Sequence, residues 1–343
     1  MRTYVAGDAL VIVPEDVPED GPPSALADWL GGRFWLGKVF LAELVRRGRV
    51  RVQGMKDAHL DTPVVPGRRV SLCGGVEADA GVPGWYPGGP WPPARVLFED
   101  DHALVADKPA GIIVHPGGPA DGVLHPADRD TLAHRVAQHF ALSGLRRQVR
   151  HVHRLDRETT GAVLYAKHEY SARTFDALLR ARRVKRSYVA LVAGRLAPAA
   201  GTVDLPIGRD RHVAGRFRVS ASGRPAVTHY RTVAVAPGNP PVSLVALTLE
   251  TGRTHQIRVH LAHLGCPVLG DALYGCAAAR RLWPPGAGHA LHAATLSFDH
   301  PYAGGSVTVT SPLPDVWQDV LQRFGLHHGL LPGAQVTLWE GMT

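Results

Sequence analysis

The sequence predicts an α+β protein: a mixed, mainly antiparallel β-sheet with flanking helices, preceded by a small N-terminal α/β unit. Three observations carry this expectation. After the first unit, strand signals follow one another between turn signals with only a few helical stretches among them, the order of an α+β chain rather than alternating βαβ. A Pro/Gly-rich stretch from Gly74 to Val96 has neither helical nor strand periodicity and reads as an extended linker. No repeat with a period of roughly 20 to 50 residues runs through the chain, which sets a solenoid aside. The expected domains are residues 1–75, a linker over 76–94, a main domain over 95–320 and a tail over 321–343.

In the first unit, Leu26, Trp29 and Leu30 have the spacing of a short helix, and Val39, Leu41, Leu44 and Val45 that of a second, with Gly48 placed to cap it. The stretch "RVRVQG" alternates basic and apolar residues as a strand does, and "TPVVPGRRVSL" supplies a turn and another strand. In the main domain, Val96–Leu97 and Ala103–Ala106 flank an acidic turn and read as a hairpin, with Ile112–Val114 as a further strand. "DTLAHRVAQHFAL" is a helix, capped by Asp130 or Thr131, with Leu132, Val136 and Phe140 on one face. "GAVLYAK" and "YVALVAG" are buried strands. Between them "SARTFDALLRARRVKRS" reads as one helix with Phe175, Leu178 and Leu179 inward and arginines outward. Strands dominate from Thr202 to Glu250, and "THQIRVHLAHLG" is a helix ended by Gly265.

Hydrophobic residues make up 45% of the 343-residue chain, enough for a sizeable core. No run of apolar residues is long enough to span a bilayer, and the start turns acidic before a signal-peptide core is complete, so a cytoplasmic protein is expected. The 3 cysteines, Cys73, Cys266 and Cys276, lack CxxC spacing, which argues against a disulfide framework and a zinc ribbon. Lys and Arg total 38 against 30 Asp and Glu, a formal charge of +8. The arginines cluster, at Arg46, Arg47, Arg49 and Arg51, at Arg146 to Arg157, and at Arg180 to Arg186. Guanidinium groups bind phosphate oxygens bidentately, so such clusters fit a nucleic-acid partner, although a solvated surface is the plainer reading of any single one.

The stretch "HVHRLDRETTG", His151 to Gly161, carries two histidines and a carboxylate. A metal site is one reading, but the aspartate falls one position later than in the His-x-His-x-Asp-His hydrolase pattern, and no histidine follows it. Arg154 and Arg157 would also lie beside the dication. The other reading makes Asp156 the working group, kept ionised by its arginine neighbours, against the plainer alternative of a surface ion pair.

Further motifs separate these readings. Glu99-Asp100 leads through Lys108-Pro109-Ala110-Gly111 to His115-Pro116, and His153-Arg154-Leu155-Asp156 is followed by Thr159-Thr160-Gly161. Lys185-Arg186-Ser187-Tyr188-Val189-Ala190 comes next. Then come Thr251-Gly252-Arg253-Thr254-His255-Gln256-Ile257-Arg258 and Gly270-Asp271-Ala272-Leu273-Tyr274-Gly275. In this order, over roughly residues 95 to 312, the chain strongly resembles the RluA-type pseudouridine synthases. Thr160 stands where that family usually has Ser, and Asp107 where Asn is common. In the first unit, Gly48 to Gly54 and Val64 to Val70 resemble the signature of an S-four-like RNA-binding domain, with Gln53 in place of Asn and Arg68 in place of Asp.

The resemblance implies a catalytic domain that breaks the glycosidic bond of a flipped-out uridine, rotates the uracil and rejoins it through C5, with no cofactor and no metal. Asp156 is then the catalytic aspartate, attacking the sugar or removing a ribose proton. Tyr188 stacks on the uracil, and Arg258 pairs with Asp156. Arg154 fills the space left by the flipped nucleotide, and Leu291 lines the uracil pocket, although a core leucine is an equal reading. His151, His153, His255 and His260 become hydrogen-bonding or packing residues. Arg46, Arg47, Arg49, Arg180, Arg183 and Lys185 become phosphate contacts. The implied partner is structured RNA, large-subunit ribosomal RNA for the subgroup with S-four-like domains, with no membrane and a monomeric chain. An RNA-binding assembly protein without activity is the competing expectation.

Overall fold

The structure, a computed structural model, describes residues 1–15, 24–77, 89–116 and 130–326. Most of the expected linker, residues 78–88, and the tail from 327 onward lie outside the described residues.

The first unit contains β1 (Arg2–Ala6), β2 (Ala9–Val13), α1 (Leu26–Phe34), α2 (Lys38–Arg46), β3 (Val50–Val52) and β4 (Val70–Cys73). The strands form one antiparallel sheet in the order β1-β2-β4-β3. Leu10 and Ile12, Val50 and Val52, and Val70 and Leu72 alternate inward and meet Leu26, Leu30, Leu41 and Leu44 of the helices. Sequence reasoning leaves the β1–β2 hairpin unread. Val39 is a correction: it is 88% exposed, because residues two apart on a helix face opposite ways and Leu41 takes the buried face.

The main domain is built on a ten-stranded mixed sheet. Its elements begin with β5 (Arg95–Glu99), β6 (Ala103–Lys108), α3 (Leu132–Leu142), β7 (Arg150–His151), β8 (Thr160–Ala166), α4 (Glu169–Arg180) and β9 (Val184–Ala193). They continue with β10 (Ala200–Asp204), β11 (Ile207–Arg209), β12 (Phe217–Val219), β13 (Val227–Ala236), β14 (Val242–Leu249) and α5 (Gln256–His263). The last are α6 (Ala277–Arg281), β15 (Leu291–Asp299), β16 (Ser306–Thr310) and α7 (Asp315–Arg323). The order is β10-β13-β14-β9-β15-β8-β6-β5, with β16 on β15 and β7 on β8, while β11 and β12 pair apart. Among the described pairings only β15 with β8 is parallel, Ala293 standing opposite Gly161. Gly161 has φ +115°, and a Cβ there would sit 2.3 Å from the Ala293 carbonyl oxygen, so the strands close together only around a glycine.

Two expected elements differ. Ile112–Val114 is not a strand: the carbonyls of Ile113 and Val114 accept the Leu132 and Ala133 N–H groups, both at 2.9 Å, and so satisfy the free start of α3. Thr131 is the capping residue there. The helix expected to run to Ser187 ends at Arg180. Arg182 turns left-handed, and the Arg182 and Arg183 N–H groups fold back onto the carbonyls of Leu179 and Leu178, a Schellman stop that lets β9 begin at Val184.

The first unit is seated on α4. Tyr170 and Tyr302 are buried in its apolar cluster, and Phe34 stacks on Tyr302 with ring centroids 5.0 Å apart. The Thr174 hydroxyl donates to the Phe34 carbonyl at 2.6 Å.

Candidate active site

The loop between β7 and β8 carries Asp156, and a buried lysine fixes it. Lys108 donates to the carbonyls of Pro109 at 2.8 Å, Ile112 at 2.7 Å and Arg157 at 2.7 Å, tying the turn after β6 to the residue that follows Asp156. Burial lowers the Lys108 pKa to about 7. The Thr159 N–H closes a turn on the Asp156 carbonyl at 3.1 Å.

Helix α5 brings Arg258 to that loop. Its Nη1 donates to Asp156 Oδ2 at 2.9 Å, while Nε and Nη2 donate to Asp271 Oδ2 and Oδ1 at 2.7 and 2.9 Å. Asp271 is fully buried and its Oδ1 also accepts the N–H groups of Leu273 and Tyr274. Burial alone would lower the Arg258 pKa; its hydrogen bonds to Asp271 and the charge of Asp156 outweigh it and push it above the usual arginine value. For Asp271, burial raises the pKa, and the Arg258 hydrogen bonds reverse that and hold it below the usual carboxylate range. The guanidinium lies over the Tyr274 ring, 5.0 Å from its centroid. Sequence reasoning gives Asp271 no role beyond its place in the Gly-Asp motif, although a buried acid thirteen positions from an arginine is where a partner should be sought.

Asp156, Tyr188, Arg258, Leu291 and Arg154 line one cleft of about 820 Å³. Tyr188 projects from β9 and Leu291 begins β15, two strands paired side by side. Tyr188 is buried, and burial raises its phenol pKa. Arg180, Arg182, Arg186 and Arg253 add cationic wall, and Gln256 and Thr251 polar contacts. The remaining expected residues are elsewhere. Arg46 and Arg47 both pair with Glu43 on α2, and Arg183 and Lys185 lie outside the cleft lining. Arg49 is a correction. Its guanidinium is held inside the seam between the two units, on Glu169 at 3.0 Å, the Tyr170 hydroxyl at 3.1 Å and the Cys73 carbonyl at 2.7 Å, and so is not presented to a phosphate.

The histidines His151 and His153, and His255 of the later motif, line the cleft, each held by its own partner. His151 stacks on His115 with centroids 4.3 Å apart. His153 accepts the Leu164 N–H at 3.2 Å, and burial lowers its pKa to about 3. His255 contacts the Tyr274 hydroxyl at 2.9 Å, and His260 contacts Thr228 and the Leu205 carbonyl. Among the described residues, no group of 3 or more His, Cys, Asp or Glu side chains is placed to hold a metal ion. No helix among them is long and apolar enough to cross a membrane.

Fold and site define an α+β enzyme core in which a carboxylate, held by an arginine, lies in a basic cleft beside a tyrosine. The family model described as RNA pseudouridylate synthase matches residues 102–263. The Bacillus subtilis protein named uncharacterized RNA pseudouridine synthase YhcT is 44% identical over 219 residues, 64% of this chain and 68% of its own. Ribosomal large subunit pseudouridine synthase D of Xanthomonas campestris is 41% identical over 246 residues, 67% of this chain and 69% of its own. The protein of that name from Nitrosomonas europaea is 40% identical over 67% of this chain and 65% of its own length. The solved structure of human RNA Pseudouridylate Synthase Domain Containing 1 superposes with a TM-score of 0.54 at 26% identity, covering 74% of this chain and 96% of that one. The chain belongs to the RNA pseudouridylate synthase family.

Proposed function

We propose that this chain isomerises uridine to pseudouridine in structured RNA, with large-subunit ribosomal RNA as its substrate. The observation that carries the reading is the placement of Asp156 on Arg258, beside Tyr188, in a cleft walled by arginine. A paired or stacked uridine cannot bring its sugar carbon to a carboxylate in a cleft, so the nucleotide is flipped in and Arg154 occupies the gap it leaves. Asp156 supplies the carboxylate on which glycosidic cleavage depends, Arg258 aims it, and Tyr188 and Leu291 flank the uracil while it turns and rejoins through C5. The step balances: the C1′–N1 bond breaks and the C1′–C5 bond forms, the C5 proton leaves to water and N1 takes up a proton, so the composition of the nucleotide is unchanged. Residues 1–75 serve as an RNA-binding unit of the S-four-like kind, with Arg46 and Arg47 on its outer surface and Arg183 and Lys185 contacting phosphates. The ribosomal assignment is supported by the names of the relatives from Xanthomonas and Nitrosomonas.

The test is tritium release from large-subunit ribosomal RNA transcripts made with 5-tritiated uridine. The wild-type chain releases tritium and Asp156→Asn does not; release by the variant at the wild-type rate overturns the role of Asp156. Loss of a ribosomal pseudouridine from cells lacking this protein identifies the site.

A further inference from the structure

Among the described residues, three that are not glycine adopt left-handed backbone: Trp35 at φ 58°, Arg182 at 60° and His255 at 57°. An L-residue is disfavoured there, most of all a bulky one, and such strain collects where a side chain has to be presented in a fixed direction. All three fall on one path. His255 and Arg182 line the cleft, and the next residue, Arg183, holds its guanidinium 5.9 Å from the centroid of the Trp35 ring. Trp35 follows α1, where glycine or asparagine would end a helix without strain. It takes no part in the apolar cluster of the first unit and leaves 38% of its surface exposed. Membership of the apolar core therefore does not account for the residue.

We infer that the substrate RNA continues out of the cleft across Arg182 and Arg183 and stacks one base on Trp35, so that the first unit holds a nucleotide neighbouring the target. This rests on the proposed RNA substrate and adds a positioning residue that the family motifs do not contain. An indole face beside guanidinium groups suits a base and its phosphate, because aromatic rings stack any base and arginine takes the oxyanion. Arg183 pairs with Asp299 at 3.4 Å, both more than half exposed, and Arg182 pairs with Glu250. Exposed pairs of this kind exchange readily for phosphate. The seating of the first unit on α4 fixes Trp35 relative to Asp156, so the contact sets register.

The test uses the full chain with Trp35→Asn and Trp35→Phe, the ribosomal transcript for turnover and a short oligouridylate for binding. Asparagine suits left-handed backbone, so the thermal midpoint of Trp35→Asn stays level or rises. Its KM for the transcript and its Kd for oligouridylate increase about 5- to 100-fold, with kcat at saturating RNA unchanged. Trp35→Phe recovers most of the affinity. Binding of Trp35→Asn equal to wild type overturns the inference, as does a fall in its thermal midpoint together with kcat. If the wild-type chain releases no tritium while Trp35→Asn still weakens oligouridylate binding, the catalytic reading fails and the RNA path stands.

Discussion

Arg258 and Asp271 form a two-point pair inside the protein, Nε to Oδ2 at 2.7 Å and Nη2 to Oδ1 at 2.9 Å, which leaves Nη1 alone to reach Asp156. The planar guanidinium cannot turn while Asp271 grips two of its nitrogens, so a residue in no contact with Asp156 fixes the direction from which Asp156 is approached. Replacing Asp271 with asparagine removes the charge and turns one acceptor into a donor. The expected result is a loss of about 3 kcal/mol in stability and a kcat reduced by at least tenfold at unchanged RNA affinity. Chemical denaturation and single-turnover tritium release measure the two effects separately.

Gly161→Ala tests the parallel seam between β8 and β15. The added methyl meets the Ala293 backbone in a conformation that already excludes alanine, so strand closure is lost, at a cost of about 3 kcal/mol or more. Because Asp156 precedes this glycine and Leu291 begins the opposing strand, any soluble variant should also have lost turnover. A variant with wild-type melting and activity would contradict the close packing described.

Acidification has a defined sign. Burial lowers the pKa of His102, His289 and His292 to about 4, below their ordinary value of 6.5. Between those values the unfolded chain takes up protons that the folded chain refuses, so stability falls as pH drops from about 6.5 to about 4, by up to about 1.4 kcal/mol per pH unit for each such histidine. Urea midpoints followed from pH 7 to pH 5 check this; a flat profile would show that these rings titrate normally in the fold.

Arg49→Ala addresses the junction of the two units. It leaves the Cys73 carbonyl, Glu169 and the Tyr170 hydroxyl without the donor they share, in a place only a quarter exposed. We expect a loss of about 1–3 kcal/mol, with faster amide exchange confined to β3, β4 and the start of α4. Exchange unchanged in those segments would mean that the apolar contacts of Tyr170 and Tyr302 hold the junction alone.

Much of this site is legible in the sequence because its residues sit in short motifs. Asp156, Tyr188 and Arg258 can be singled out although the first and last are 102 positions apart, and the structure brings all three to one cleft. Asp271 is harder to read, since a buried acid resembles any other acid until its arginine is seen. Arg49 is misread for the opposite reason. A run of arginines reads as one surface, whereas the start of α4 closes over Arg49, just before β3, and takes its guanidinium on Glu169 and Tyr170, while Arg51 stays exposed. Local chemistry also misleads at Ile112–Val114, whose apolar run suits a strand but whose carbonyls are claimed by the helix that follows. The helix from Ser171 is overrun for want of a glycine at its end, because Arg182 takes the left-handed position that glycine usually marks.

Helix α4 belongs to two cores at once. Tyr170 and Thr174 face the first unit, while Phe175 and Leu178 pack under the sheet. The two parts of this protein are therefore poor candidates for exchange. A graft that replaced residues 1–75 with the same segment of a relative would meet a surface cut for Phe34, and Tyr170, Thr174 and Tyr302 would have to travel with it. The heritable module is the first unit together with the face on which it rests.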